Sequence, residues 1–379
     1  MTGPRGDLRP EKARRGQGPV RVVIAAGGTG GHVFPALAVA DELSRRGVEV
    51  HFVGTGAGVE ARAVPAAGYP LHRLEMRGLR GSGWRRWAAL PWALGRAVAA
   101  AGRTLLRLRP AAVLAMGGYV AAPAGLGAWV TRRPLVLHEQ NAVPGLAIRL
   151  LRRLATRILT GFPEAAERLG PRARWVGTPV RTELLGLEEP ARRYAERGGP
   201  LRVLVFGGSQ GARFLNREVP PCLAGLAEER PVTVWHQAGR DEGEAVERAY
   251  ADAGLEATVT PFIEDMAAAY AWCDLVFCRA GAATVAELEA AGVPAVLVPF
   301  PHAVDDHQRK NAEALVDRGA AVCLTQEEWE GREVIGLLRN RLADREALAA
   351  MGEAARGLAR PEAAKAVADS CLEGREHAG

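Results

Sequence analysis

Short apolar runs rich in β-branched residues alternate along this chain with longer stretches whose apolar positions recur at helical spacing. In the first half the strand-like runs fall at residues 22–26, 48–53, 112–115, 134–138 and 157–159. In the second they fall at 201–206, 232–235, 257–260, 275–278 and 295–298. Near-continuous apolar strands alternating with helices belong to parallel sheets covered on both faces, so the pattern predicts the α/β class. Each half opens in the same way, with a strand, a glycine-rich loop and a helix. At 379 residues the chain exceeds a usual single core. A Pro/Glu/Arg/Gly-rich stretch at 187–200 precedes the second opening, so a domain boundary is expected near 177–201. Two doubly wound domains then face each other with the carboxyl ends of their strands across a cleft, where such sheets bind ligands.

One segment departs from the alternation. Between 78 and 109, Leu79, Trp84, Trp87, Leu90, Trp92 and Leu94 are interleaved with Arg80, Arg85, Arg86 and Arg96. Trp and Arg on one amphipathic segment suit the interface of an anionic membrane, and they equally suit a core helix with a solvated arginine face. The net charge is only +6, but from Arg73 to Arg109 nine arginines face Glu75 alone. No nucleic-acid module accompanies this basic surface. The five cysteines have no Cys-x-x-Cys spacing, which predicts free thiols in a reducing compartment and no zinc site. Residues 1–19 form a polar Gly/Arg-rich tail expected to be disordered, without a secretory apolar region, and no apolar run reaches membrane-spanning length. A cytosolic protein is expected.

The candidate chemistry sits in the loops. Gly27-Gly28-Thr29-Gly30-Gly31-His32 lies between a strand and a helical pattern whose first turn is assigned to Pro35. Glycines there let the backbone approach a ligand, and helix-start amides favour an anion such as a diphosphate. Met116-Gly117-Gly118-Tyr119 is a second such loop and Gly207-Gly208-Ser209-Gln210-Gly211-Ala212 a third. No loop ends in Gly-Lys-Ser/Thr, which excludes a Walker-type site. The first loop lacks the third glycine of a dinucleotide fingerprint, and Phe52-Val53-Gly54-Thr55 lacks its ribose-binding acid. His138-Glu139-Gln140-Asn141 puts four polar side chains at a strand end. Glu287 falls in the first turns of the helix after Arg279-Ala280-Gly281, where it either binds sugar hydroxyls or only supports the helix. Asp305-Asp306-His307-Gln308 is consecutive and lacks metal-ligand spacing, so no metal and no other cofactor is expected.

Taken in order and spacing, these loops together with Phe262-Ile263-Glu264-Asp265-Met266, Cys278-Arg279-Ala280-Gly281-Ala282 and Asp306-His307-Gln308 resemble the MurG family, the bacterial N-acetylglucosaminyltransferases of peptidoglycan synthesis. The resemblance runs from about Arg21 to the C-terminal helices. It implies a GT-B fold of two Rossmann-like doubly wound domains: an acceptor and membrane domain at 20–180, a UDP-GlcNAc domain at 181–358, and a helix within 359–379 that packs back on the first. It implies inverting, metal-independent transfer of GlcNAc from UDP-GlcNAc to the C4 hydroxyl of undecaprenyl-diphospho-MurNAc-pentapeptide. The donor contacts carried over are Ile263 for uracil, Glu287 for ribose, Ser209 for the diphosphate, Arg181 for the nucleotide, and Asn141 and Gln308 for the sugar. The helix start Ala282, Ala283, Thr284, Val285 and Ala286 belongs to the same site, and Thr29, Gly30 and Gly31 lie near both substrates. His32 is the candidate base, or else a donor to the acceptor diphosphate, and Glu139 is a second candidate base. Tyr119, with Trp84, Trp87, Arg80, Arg85 and Arg86, falls to the acceptor and membrane side. The implied location is the cytoplasmic face of the anionic membrane, with cell-wall synthesis proteins as further partners and no nucleic acid. The competing readings are another GT-B enzyme, such as a UDP-GlcNAc 2-epimerase or another lipid glycosyltransferase, and a non-catalytic nucleotide-sugar-binding subunit.

Overall fold

The computed structural model describes residues 19–75, 84–208, 213–301, 303–329, 331–341 and 344–373, with backbone alone at 84–90, 304, 331–333 and 341. Ser209 and Arg80, and the side chains of Trp84, Arg85, Arg86 and Trp87, therefore lie outside the described residues, as does nearly all of the tail.

Two parallel sheets form the frame. The first contains β1 (Arg21–Ala25), β2 (Glu49–Gly54), β3 (Leu71–Arg73), β4 (Ala112–Ala115), β5 (Leu135–Glu139), β6 (Arg157–Thr160) and β7 (Ala173–Trp175), in the order β3-β2-β1-β4-β5-β6-β7. The second contains β8 (Leu201–Phe206), β9 (Val232–Gln237), β10 (Glu256–Thr260), β11 (Leu275–Cys278), β12 (Ala295–Leu297) and β13 (Ala321–Cys323), in the order β10-β9-β8-β11-β12-β13. Val22, Val23, Ile24 and Ala25 are completely buried, as a central strand with helices on both faces requires.

The strand order reverses between β1 and β4 in one sheet and between β8 and β11 in the other. At such a switch point the neighbouring loops run to opposite faces and leave a crevice at the strands' carboxyl ends. The glycine loops after β1 and β4 open onto the first crevice, and those after β8 and β11 onto the second. Gly118, at φ +70°, sits so close to the first loop that a Cβ would lie 2.5 Å from the Gly27 carbonyl oxygen. Only glycine allows that approach.

The helix α1 (Gly30–Arg45) begins five residues before the expected position, so Pro35 is inside it and His32 belongs to its first turn. Proline lacks the amide that would pair with the Gly31 carbonyl, which loosens this turn but leaves the later ones intact. The helices α2 (Glu60–Ala66), α3 (Trp84–Leu108), α4 (Ala121–Val130) and α5 (Leu146–Leu151) follow in the first half, and α3, α4 and α5 each contribute residues to the cleft between the sheets. In α3 the stripe Ala97, Ala101 and Leu105 is buried, whereas Trp92 is 75% exposed. The amphipathic segment thus feeds the core with one face and keeps apolar surface on another. The last helix, Ala363–Leu372, places Val367, Ala368 and Cys371 in the core of the first sheet beside Val22 and Ile24. The two halves are also tied by buried Asn311, whose Oδ1 accepts from Ala142 N at 2.9 Å and whose Nδ2 donates to Asn141 Oδ1 at 3.3 Å.

Candidate active site

Between the two sheets lies a cleft of about 1850 Å³ lined from both halves. Ordinary small-ligand pockets run to roughly 1,000 Å³, so this volume has room for two substrates side by side.

On the first half, Thr29, Gly30, Gly31, His32, Gly117, Gly118 and Tyr119 form one wall. Thr29 precedes α1 in an extended conformation and makes no side-chain cap; its carbonyl accepts from His32 N and Val33 N, which leaves the Gly30 and Gly31 amides as the first-turn donors without a protein partner among the described residues. His32 Nδ1 lies 3.1 Å from Gln140 Oε1. The loop itself is pinned from below by Glu60, a carboxylate with no exposure that accepts from Gly28 N at 2.9 Å, Thr55 N at 2.9 Å and Thr55 Oγ1 at 2.5 Å. Glu139 lines the same wall, but its carboxylate is engaged. Oε1 accepts from Asn141 N and Nδ2 at 3.0 and 3.1 Å, and Oε2 accepts from Gly145 N at 2.8 Å. His138 faces away and is wholly buried, with Nε2 donating to the Gly177 carbonyl at 2.9 Å. Burial brings its pKa down to about 4.

On the second half, the helix Ala282–Ala291 starts at Gly281 without a side-chain cap and presents Ala282, Ala283, Thr284 and Glu287 to the cleft. Arg181, from the segment joining the halves, reaches Glu287 Oε1 at 3.3 Å and stacks its guanidinium 4.5 Å above the Phe34 ring of α1. Burial raises the pKa of Glu287, opposed by Arg181 and by the Tyr270 hydroxyl that donates to Oε2 at 3.3 Å. Ile263 and Gln308 also line the cleft, and Gln308 Oε1 accepts from Phe300 N at 2.9 Å. Gly207 and Gly208 border it after β8, with Gln237 Nε2 holding the Gly208 carbonyl at 2.8 Å.

Residues 22–160 match the glycosyltransferase family 28 N-terminal domain and residues 202–367 its C-terminal domain. The UDP-N-acetylglucosamine–N-acetylmuramyl-(pentapeptide) pyrophosphoryl-undecaprenol N-acetylglucosamine transferase of Halorhodospira halophila is 58% identical, over 93% of this chain and 98% of the relative. The protein of the same name from Acidithiobacillus ferrooxidans is 54% identical over 93% of this chain and 97% of its own length. The crystal structure of Acinetobacter baumannii MurG superposes with a TM-score of 0.80 at 39% identity, covering 94% of this chain and all of that one. The chain belongs to the MurG family.

Of the residues that the MurG resemblance implies, Thr29, Gly30, Gly31, His32, Tyr119, Glu139, Asn141, Arg181, Ile263, Ala282, Ala283, Thr284, Glu287 and Gln308 line the one cleft. Val285 and Ala286 do not: both side chains are buried, Val285 within the core of the second half. Glu60, the pairing of Gln140 with His32, and Phe34 join the site without standing in any of its sequence motifs as partners. A signal for Glu60 existed, since Gly54, Gly56 and Gly58 crowd the stretch before it and a Cβ at 54 or 58 would run into its side chain.

Proposed function

We propose that this MurG-family chain transfers GlcNAc, with inversion, from UDP-GlcNAc to the C4 hydroxyl of undecaprenyl-diphospho-MurNAc-pentapeptide, forming the disaccharide lipid of peptidoglycan synthesis. The observation that carries the reading is the large cleft with helix starts that lack side-chain caps on both walls, at Gly30 and at Ala282, each able to hold one diphosphate. The second-half wall takes most of the donor. Ile263 meets the uracil, Glu287 the ribose, Arg181 the nucleotide, the Gly207–Gly208 loop with Ser209 the diphosphate, and Asn141 and Gln308 the sugar. The first-half wall, Thr29 to His32 with Tyr119, takes the lipid diphosphate and the muramyl sugar.

The chemistry needs two things. The acceptor oxygen must lose its proton as it bonds to C1, and the electron pair of the breaking C1–O bond must leave with UDP. Helix-start amides and the Arg181 guanidinium are fixed donors for that departing charge and need not reorganise. His32 takes the proton. Its ring lines the cleft, whereas the Glu139 carboxylate is already occupied by three donors that fix the Asn141–Gly145 loop.

The acceptor is a lipid, and the first half has a face suited to a membrane. Trp92, Trp129, Val130, Leu146 and Leu150 are all more than half exposed on α3, α4 and α5. No described helix is long and apolar enough to cross a membrane. Peripheral attachment to the anionic cytoplasmic leaflet fits both facts. Incubation with labelled UDP-GlcNAc and a lipid-linked muramyl acceptor tests the function: label should pass to the lipid, and label left wholly in the nucleotide sugar or its hydrolysis product would overturn it.

A further inference from the structure

We propose that Gln140 is a positioning residue that fixes the tautomer of His32, so that the ring nitrogen available to the acceptor hydroxyl carries a lone pair; this rests on the reading of His32 as the base. Gln140 is 1% exposed, and its Oε1 lies 3.1 Å from His32 Nδ1. With Gln140 Oε1 turned to the ring, and an amide oxygen able only to accept, the neutral imidazole carries its proton on Nδ1 and its lone pair on Nε2. An unconstrained histidine side chain prefers the opposite arrangement, with the proton on Nε2, in which it could not take a proton from an alcohol on that side. Nε2 makes no hydrogen bond among the described residues, and the ring lines the cleft.

The fold is built to allow this contact. Gly117, at φ +89°, passes beside the pair, and a Cβ there would lie 2.9 Å from His32 Nδ1 and Cε1 and 3.5 Å from Gln140 Oε1. Any side chain at 117 would push the imidazole off the amide. A neutral amide also suits the place. A carboxylate would hold the same tautomer, but it would add negative charge beside a wall proposed to bind a diphosphate. In the transfer step the acceptor O–H proton moves to Nε2 as the new C1–O bond forms, and the old C1–O bond breaks with its electrons leaving on UDP. Gln140 stabilises the Nδ1–H throughout and exchanges no proton.

The test is long-range proton–nitrogen NMR of the full chain labelled at histidine nitrogens, at alkaline pH where the ring is neutral, with the His32 signals assigned by loss in His32→Gln. The wild type should show the Nδ1–H tautomer. Gln140→Met, which keeps the length and removes the acceptor, should shift His32 toward Nε2–H and lower kcat on the order of 10- to 100-fold with the KM for UDP-GlcNAc unchanged. Gln140→Glu, an acceptor only, should retain Nδ1–H, which a purely packing role for Gln140 does not require. An Nε2–H wild type, or a tautomer indifferent to Gln140→Met, overturns the proposal. A tautomer that follows Gln140 while kcat stays unchanged overturns instead the reading of His32 as base on which it rests.

Discussion

Arg181 links the two walls of the cleft through one side chain: its Nη2 is 3.3 Å from Glu287 Oε1 while its guanidinium lies 4.5 Å over the Phe34 ring. The carboxylate comes from the second half and the ring from the first, so a nucleotide bound at Arg181 or Glu287 would bear on how the halves meet. Hydrogen bonds to a charged group contribute about 1.5–3 kcal/mol, which is about 10- to 100-fold in affinity. Glu287→Ala should therefore weaken UDP-GlcNAc binding by that factor in calorimetric titration. An affinity within about twofold of wild type would remove Glu287 from the donor site.

Glu60 is expected to matter for both stability and turnover. Glu60→Ala leaves Gly28 N and both Thr55 donors without their buried acceptor. The expected loss is about 2–4 kcal/mol in chemical denaturation. Because Gly28 belongs to the wall proposed to bind the acceptor, kcat should fall in Glu60→Ala while the dissociation constant for UDP-GlcNAc stays near the wild-type value. Equal damage to donor binding would mean that the loop serves the donor.

The apolar face of α3 to α5 predicts a membrane phenotype that is separable from catalysis. Trp84, Trp87 and Trp92 replaced together by Ser, or Arg85 and Arg86 by Glu, should abolish sedimentation with anionic vesicles and spare transfer to a water-soluble acceptor analogue. Unchanged sedimentation would contradict this use of the face.

His138 makes stability fall in acid. Its folded pKa is about 4 against an ordinary 6.5, because burial disfavours the imidazolium. Below about pH 6.5 the unfolded chain takes up a proton that the native ring refuses, so native stability drops as pH falls through this window toward 4. Between pH 6.5 and 5 the loss from this one group is about 1.5 kcal/mol. His138→Asn should be less acid-sensitive than wild type by that difference in denaturation at the two pH values, and parallel curves would refute it.

The long apolar strands β1, β4, β8 and β11 were legible because strands buried on both faces write themselves as unbroken hydrophobic runs. The strands Leu71–Arg73, Ala173–Trp175 and Ala321–Cys323 were not: each has three residues, lies at a sheet edge and is only partly buried, too short for any period to emerge. The start of α1 was misplaced because Gly30 and Gly31 give no helical signal of their own, and Thr29 makes no side-chain cap to mark the boundary. Within the site, the glycine loops could be read locally. The partnership of His32 with Gln140 spans 108 positions and that of Gly28 with Glu60 spans 32, and no local pattern records a contact created by strand order. The same order explains why loops far apart in sequence converge, since β1 and β4 are neighbours at the switch point.

The central claim is a division of labour across the cleft, with His32 acting on the acceptor and the second half holding the donor. The most direct measurement is steady-state transfer by His32→Ala, paired with calorimetric binding of UDP-GlcNAc to the same variant. A fall in kcat of about 10²–10⁴-fold with donor affinity unchanged is expected. A loss of donor affinity that accounts for the whole defect would assign the Gly27–His32 loop to the donor and contradict it.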